Sequence, residues 1–488
     1  MKASLKCILA ALLASLTVLP TAFGLVSCGQ ADTPDDVATD GTQIESESDE
    51  ETAFFPPIEK KDHGKATFRM IGWTHPGDWY FAEEYQNTQG GNSVLNNTLY
   101  EMNTLVEEHL NVDLEYEHPG NMVTGHEIHD TVSPTIMSGD DEYQLVILNA
   151  YYDVNNFVLK NKAQDFGGFP DIDLNQSYWN REVMDTLSLK DRYFVGAGDL
   201  CRYELAVLYC NKDMLKQVSR KVPYDQVRSG EWTLDSLFSI TTDLYADNGD
   251  GKRDRGDTFG LACMWDSRTS SLMQASDIYI AKKNDQGRFE LCLYGDKLVE
   301  YYDRLYQWAH NDSTLLWAPG DSFTADFRSE ECYFTEDLLG AQYLDVKFSM
   351  GILPLPKYSK EQANYSHCNW GNNLIIPSTA QNKEMVGQVL ELMSFYSETM
   401  VLEKYYDDVL QLRVSESPDD RDMVELIYDT VTFDPGITYC DGSDAMWNIV
   451  FTTCSCIRWD NPNVTSYYKT YEKAAARWLN NLERSIRN

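Results

Sequence analysis

The stretch from Thr67 to Leu148 constrains the fold more than any other part of the chain. Thr67–Trp73 (TFRMIGW) reads as a strand. Leu99, Met102, Leu105, Val106 and Leu110 then recur at helical spacing, and Asn111 is a helix stop. Val112, Leu114 and Tyr116 alternate with Asp113 and Glu115, which predicts a second strand. A second helix is expected over Gly125–Met137, followed by the apolar strand Gln144–Leu148. This strand–helix alternation predicts an α/β fold with an open sheet and parallel neighbours. Ligands meet such sheets at the carboxyl ends of the strands. The first strand ends at Gly72-Trp73 and the third runs out through Asn149-Ala150-Tyr151-Tyr152. Trp73, Tyr151 and Tyr152 are therefore candidate ligand-binding side chains, against the simpler alternative that each ring only packs.

The N-terminus places the protein. Lys2 and Lys6 form a short basic start, Cys7–Leu19 is a compact apolar core, and Pro20 breaks it. This is secretory-signal anatomy, and the core alone is short for a membrane span. An uncleaved anchor helix over Cys7–Val26 is the alternative. Leu25-Val26-Ser27-Cys28 looks like a bacterial lipobox, which makes residues 1–27 a cleaved signal and Cys28 the lipid-bearing residue. More than one acyl chain on a cysteine gives stable anchoring. Gly29–Thr52 then carries nine Asp or Glu and no Lys or Arg. Such a segment buries nothing and repels itself, so residues 28–62 are expected to form an extended tether. The expected place of work is the outer face of the cell membrane.

The mature chain is longer than one ordinary core, so two lobes are expected. A formal charge of −37 argues against nucleic acid, which requires clustered Lys and Arg. Of 11 cysteines, nine remain once Cys7 is removed and Cys28 lipidated. An odd number, with no CxxC pair, favours small buried thiols over a disulfide framework or a zinc site. One bridge, Cys201 to Cys210, stays open as an alternative.

Further along, the motifs become recognisable. "AVLYCNKDMLKQ" (Ala206–Gln217) and "GEWTLDSLFSITTDLYADNGDGKRD" (Gly230–Asp254) come first. "FGLACMW" (Phe259–Trp265), "MGILPLPKY" (Met350–Tyr358) and "IIPSTAQNKEMVGQVLELMSFYS" (Ile375–Ser397) follow in order. Together they resemble the bacterial extracellular solute-binding proteins of family 1, the maltodextrin-binding type. The resemblance implies a periplasmic-binding-protein-like fold: two α/β lobes joined by crossing hinge strands, with a ligand cleft between. The implied division is 63–196 plus 336–376 for the N-terminal lobe and 197–335 plus 377–488 for the C-terminal lobe. It further implies a monomer that captures a solute and delivers it to the permease subunits of an ABC importer. Trp265 and Asp266, leaving the "FGLACMW" strand, join the candidate ligand residues. So do Trp370, before "GNN", and Trp447 in "GSDAMWNIV". The chain is longer than the shorter relatives, and the roles of Asp171–Arg181 and Ser415–Asp434 stay open.

Other motifs were weighed. In an EF-hand frame, Asn248, Asp250, Asp254 and Asp257 fall at ligand positions and Gly251 at the turn, but Ala246 occupies the first ligand position. A structural calcium ion there is possible, although no cofactor is required. His126 and His129 are three apart, not the four of a zincin helix, so "HEIHD" reads as a helix face. Ser466 and Lys469 have the serine–lysine spacing of penicillin-binding enzymes without their other motifs, on an amphipathic C-terminal helix. Two functions follow: a tethered binding protein for a carbohydrate, whose flat apolar faces suit aromatic rings, or a surface glycosidase. Within the first, peptide or polyamine solutes compete.

Overall fold

The computed structural model describes residues 56–72, 94–119, 126–150, 153–201, 203–264, 267–317, 325–339, 346–402, 404, 417–440, 442 and 444–486. The expected signal segment, Cys28 and the expected tether up to residue 55 lie outside these residues; the end of that expected tether is instead bonded to the helix Val94–Leu110, with Lys61 N donating to His109 O at 3.1 Å.

The described chain is organised by two mixed sheets. The first contains β1 (Ala66–Gly72), β2 (Val112–Glu117), β3 (Leu145–Asn149) and β12 (Asn372–Ile375), in the order β12-β3-β1-β2. β1 runs parallel to β2 and β3, and β12 closes the edge antiparallel to β3. All five residues of β3 are buried, as a strand covered on both faces requires. The helix Val94–Leu110 buries Leu99, Met102, Val106 and Leu110, the apolar face that its periodicity prescribes. Asn111 ends it in the left-handed region, at φ 47°. The helix Glu127–Ser138 is stopped by Gly139 at φ 84°.

The second sheet contains β4 (Ala206–Asn211), β5 (Phe259–Met264), β8 (Thr314–Trp317), β9 (Cys332–Leu338) and β10 (Met350–Leu353), in the order β10-β4-β9-β5-β8. β5 is parallel to both β8 and β9, while β4 is antiparallel to β9 and β10. Two small pairs complete the set: β6 (Ala281–Lys283) with β7 (Phe289–Leu291), and β11 (His367–Cys368) with β13 (Val431–Thr432). Local signals explain the starts of helices here. Asn211 Oδ1 accepts from Met214 N at 2.9 Å and Thr233 Oγ1 from Ser236 N at 3.4 Å, each an N-cap.

Two expected boundaries move. β9 and β10, assigned above to the N-terminal lobe from residue 336 onward, pair with β4 in the second sheet. The chain returns to the first sheet only after Leu353, because the buried strand Met350–Leu353 completes the second sheet's edge. The helix Lys383–Tyr396, expected in the C-terminal lobe, instead packs on the helix Val94–Leu110. The short link from β12 leaves it no other face to cover.

Both long insertions are held by buried carboxylates. Glu391, on the helix Lys383–Tyr396, accepts from Tyr178 OH (2.6 Å), Trp179 Nε1 (2.9 Å) and Asp173 N (3.3 Å), so 171–181 wraps that helix. Asp420 accepts from Lys212 Nζ at 2.5 Å, from Ile352 N at 3.1 Å and from the Tyr224 hydroxyl. Asp434 accepts from the backbone N–H groups of Ile280, Ala281 and Gly436 at 2.6–3.1 Å. Asp420 thereby fastens 417–440 to the second sheet and Asp434 fastens it to the β6–β7 pair. All nine described cysteines are free, Cys201 and Cys210 included, and burial pushes the Cys210 thiol up to about 12.

Candidate functional site at the crossing segments

Two segments pass between the sheets side by side. Gly196 N donates to Leu374 O at 2.9 Å, and Leu374 N returns to Gly196 O at 3.1 Å. Trp370 N donates to Glu204 O (3.2 Å) and Ala150 N to Trp370 O (3.3 Å). Gly198 lies so close to the Tyr178 carbonyl that a Cβ would fall 2.2 Å from its oxygen.

The register of the strands fixes what faces this crossing. β12 starts just beyond it with Asn372 opposite Asn149, so the antiparallel β3 must end there. β4 likewise begins at Ala206 opposite Leu338, so β9 and its parallel neighbour β5 point their carboxyl ends at the same place. Both sheets thus aim their ligand-facing ends at one junction.

Aromatic rings from both sides meet there. Trp370, on the crossing segment, lies 5.8 Å from Phe451 between ring centroids, and Phe451 lies 4.5 Å from Trp447. Trp370 is buried, Phe451 nearly so, and Trp447 keeps 37 % of its surface exposed. The helix Ser267–Ala275, which follows β5, secures this group through Ser270 Oγ, 3.3 Å from Val450 O. Tyr203 packs edge-on to Phe433 at 5.9 Å.

Polar groups line the same junction. Asn149 Nδ2 donates to Glu204 Oε1 (3.3 Å), and Asn369 Oδ1 accepts from Glu204 N (2.9 Å) and Gly371 N (2.8 Å). Asp199 and Glu204, on the first crossing segment, are both buried. Just below, His367 joins β11 to the C-terminal segment: Nε2 accepts from Leu355 N at 3.2 Å and Nδ1 meets Thr430 Oγ1 at 2.9 Å. Burial depresses this imidazole to about 3, and burial raises the Asp434 carboxyl to about 6.

Of the seven expected ligand residues, Trp370 and Trp447 are brought together through Phe451. Trp73, Tyr151, Tyr152, Trp265 and Asp266 lie outside the described residues. Phe451, Asn149, Glu204 and Asn369 were not anticipated; only the place of Asn149 at a strand exit hinted at one of them.

The acidic loop is closed by its own backbone. Asp257 takes N–H groups from Asn248 (3.0 Å) and Asp254 (3.2 Å), and Tyr245 OH at 2.8 Å. Asp247 Oδ1 accepts from Gly249 N and Gly251 N, Asn248 Oδ1 from Asp250 N, and Asp250 Oδ1 from Lys252 N. Arg253 reaches the carbonyls of Asp312 and Thr314 along the edge strand β8. Among the described residues, no group of three or more His, Cys, Asp or Glu is placed to hold a metal ion. His126 Nδ1 meets Asp153 Oδ2 and His129 Nε2 meets Ser133 Oγ, both at 2.9 Å, so the two histidines serve separate partners.

No protein-family model and no curated protein sequence matches the chain. Solved structures do. A substrate-binding protein of Listeria monocytogenes in complex with cycloalternan aligns with a TM-score of 0.54 at 15% identity, over 86% of this chain and 99% of that one. The fold is that of the ABC-transporter solute-binding proteins. A solute-binding protein of Agrobacterium radiobacter in complex with ribitol gives 0.53 at 13%, covering 86% and 100%. The acarbose-binding GacH receptor of Streptomyces glaucescens gives 0.52 at 15%, covering 86% and 98%. The crossing segments described above link this chain's two sheets.

Proposed function

We propose that this chain is a non-enzymatic solute-binding protein, tethered to the outer face of the membrane through lipid on Cys28. It captures a sugar or oligosaccharide and presents it to the permease subunits of an ABC importer. The observation that carries this reading is the Trp370–Phe451–Trp447 ring series at the junction of the two sheets. It places a half-exposed indole among buried carboxamides and carboxylates, which suits a ligand with flat apolar faces and a rim of hydroxyls. The bound sugars and sugar-like compounds of the structural relatives support the same class. Among the described residues no helix is long and apolar enough to cross a membrane.

The test is calorimetric titration of the mature chain with mono- and oligosaccharides, alditols, amino acids, peptides and polyamines. Binding of a carbohydrate without turnover, weakened at least tenfold by Trp447→Ala, is the expected result. Hydrolysis of a glycan, or binding of peptides or polyamines alone, overturns the reading. For the anchor, Cys28→Ala abolishes incorporation of a fatty-acid analogue and releases the protein from the membrane fraction. Continued labelling of the variant excludes Cys28 as the lipid site.

A further inference from the structure

The helix Glu127–Ser138 and the loop after the helix Val154–Val158 bring an imidazole, a hydroxyl and an amine together. His129 and Ser133 lie one helical turn apart, with Ser133 Oγ 2.9 Å from His129 Nε2. Lys162 Nζ donates to Ser133 Oγ and lies 3.5 Å from the same Nε2. His129 Nδ1 lies 3.3 Å from Asp130 Oδ1. A carboxylate only accepts, so this contact assigns the ring proton to Nδ1 and leaves the Nε2 lone pair facing the hydroxyl and the amine. The lysine backbone is held on both sides: its N–H donates to Phe157 O at 2.8 Å, and its carbonyl accepts from Ser378 N at 2.7 Å. Phe157, fully buried, stands edge-on to the imidazole with 5.9 Å between ring centroids. Burial holds the Lys162 ammonium below the usual lysine range, helped by Lys160 and opposed by Asp153. Burial also lowers Lys297 and Lys357, but these face the Asp277 carboxylate and the Gln362 carbonyl rather than an imidazole.

We propose that Lys162 is a covalent modification site for reducing sugars and other 2-hydroxyaldehydes, with His129 as the base that fixes them as ketoamines. The Lys162 ammonium passes a proton to His129, directly or through Ser133, and the free amine adds to the aldehyde carbon C1. His129 returns that proton to the departing hydroxyl, so water leaves and a protonated imine remains. C2 of the adduct then lies two bonds and about 2.5 Å from Nζ, which brings its hydrogen within reach of Nε2. Nε2 takes the C2 proton, the freed pair forms C1=C2, and the C=N pair moves to nitrogen. Return of the proton to C1, with transfer of the C2 hydroxyl proton to nitrogen, gives the ketoamine. C1 is reduced and C2 oxidised within one molecule, so amine and aldehyde yield ketoamine and water with no further reactant. This chemistry is independent of which solute the chain carries.

The test incubates the mature chain with glyceraldehyde and, separately, with propanal and cyanoborohydride. Mass spectrometry of peptides then reads the acid-stable ketoamine or the propylated amine at each lysine. Propanal has no 2-hydroxyl, so its product reports how readily the amine adds, without the rearrangement. Lys162 is expected to gain ketoamine about tenfold faster than the exposed Lys252 or the similarly lowered Lys297. His129→Gln cuts the ketoamine at Lys162 about tenfold and changes its propylation by less than about twofold. The ratio of the two products at Lys162, set against the same ratio at Lys297, reads the base within the wild-type chain. That ratio decides the matter even where the variant folds poorly. Ketoamine at Lys162 no faster than at Lys252 and Lys297 overturns the proposal. So does an equal product ratio at Lys162 and Lys297, or an unchanged ketoamine rate in a folded His129→Gln variant.

Discussion

The fastening points of the two insertions and the crossing between the two sheets are both built from buried polar side chains, and they differ in how completely those side chains are bonded. Glu391 and Asp420 each receive three donors from parts of the chain far away in sequence, and Asp434 receives two such donors and a local one from Gly436 N. The carboxamides at Asn149, Asn369 and Asn373 stay short of a partner. A saturated carboxylate stabilises one arrangement of the chain, whereas a buried amide left short of a partner costs stability.

That contrast can be broken most severely at Asp420. Asp420→Ala leaves Lys212 and the Tyr224 hydroxyl facing an emptied site. It is expected to lower unfolding free energy by about 3–5 kcal/mol in urea titrations while solute affinity holds. A small stability loss joined to a large affinity loss would overturn that expectation.

Acid titration sharpens the comparison next. His367 is depressed to about 3 in the fold against 6.5 when unfolded, so its contribution is complete above pH 6.5 and declines as pH falls toward 3. Asp434 works oppositely: raised to about 6 from 3.8, it contributes below pH 3.8 and loses that contribution as pH rises through 6. Each amounts to a few kcal/mol. His367→Gln therefore flattens the acid side of a stability–pH curve between pH 6.5 and 3, and Asp434→Asn steepens it between 6 and 3.8. Parallel curves for all three proteins would remove both groups from the acid response.

Smaller effects are expected elsewhere. Glu391→Gln retains an acceptor but loses the charge that holds Tyr178 and Trp179, at about 1–3 kcal/mol by denaturant titration. Asn373→Leu removes an amide whose oxygen is already unpaired, so stability by denaturant titration changes by under about 1 kcal/mol. The acidic loop lies at the small end. Its side-chain oxygens already hold the turn, so added calcium is expected to move the melting midpoint by less than about 1 °C. A rise of several degrees, lost on Asp250→Ala, would instead establish an ion site there.

The layout of the first sheet was legible because its signals are local. Leu99 to Leu110 repeats at helical spacing, Leu145 to Leu148 is continuously apolar, and Asn111 sits where a left-handed residue ends a helix. The division of the later chain was not, because Met350–Leu353 finds its edge beside a strand about 140 residues earlier, and a strand's own pattern does not name its partner. The rings at Trp370 and Trp447 could be nominated from their neighbours in sequence. Phe451, wedged between them, could not, since an aromatic four residues beyond another on a helical stretch reads as ordinary packing. The spare amides were also hidden. Asn369 carries no local sequence signal, and only the three-dimensional count of donors and acceptors distinguishes it from any other asparagine.

The first described residues have a mechanical consequence. Lys61, His63 and Lys65 donate their backbone N–H groups to the carbonyls of His109, Leu110 and Asn111 at 2.8–3.1 Å, and His109 Nε2 meets Ile58 O at 2.7 Å. Lys61 also pairs with Glu384, and His63 with Gln388. A load arriving from the residues upstream therefore enters the fold as shear across this row of bonds and meets the paired helices Val94–Leu110 and Lys383–Tyr396.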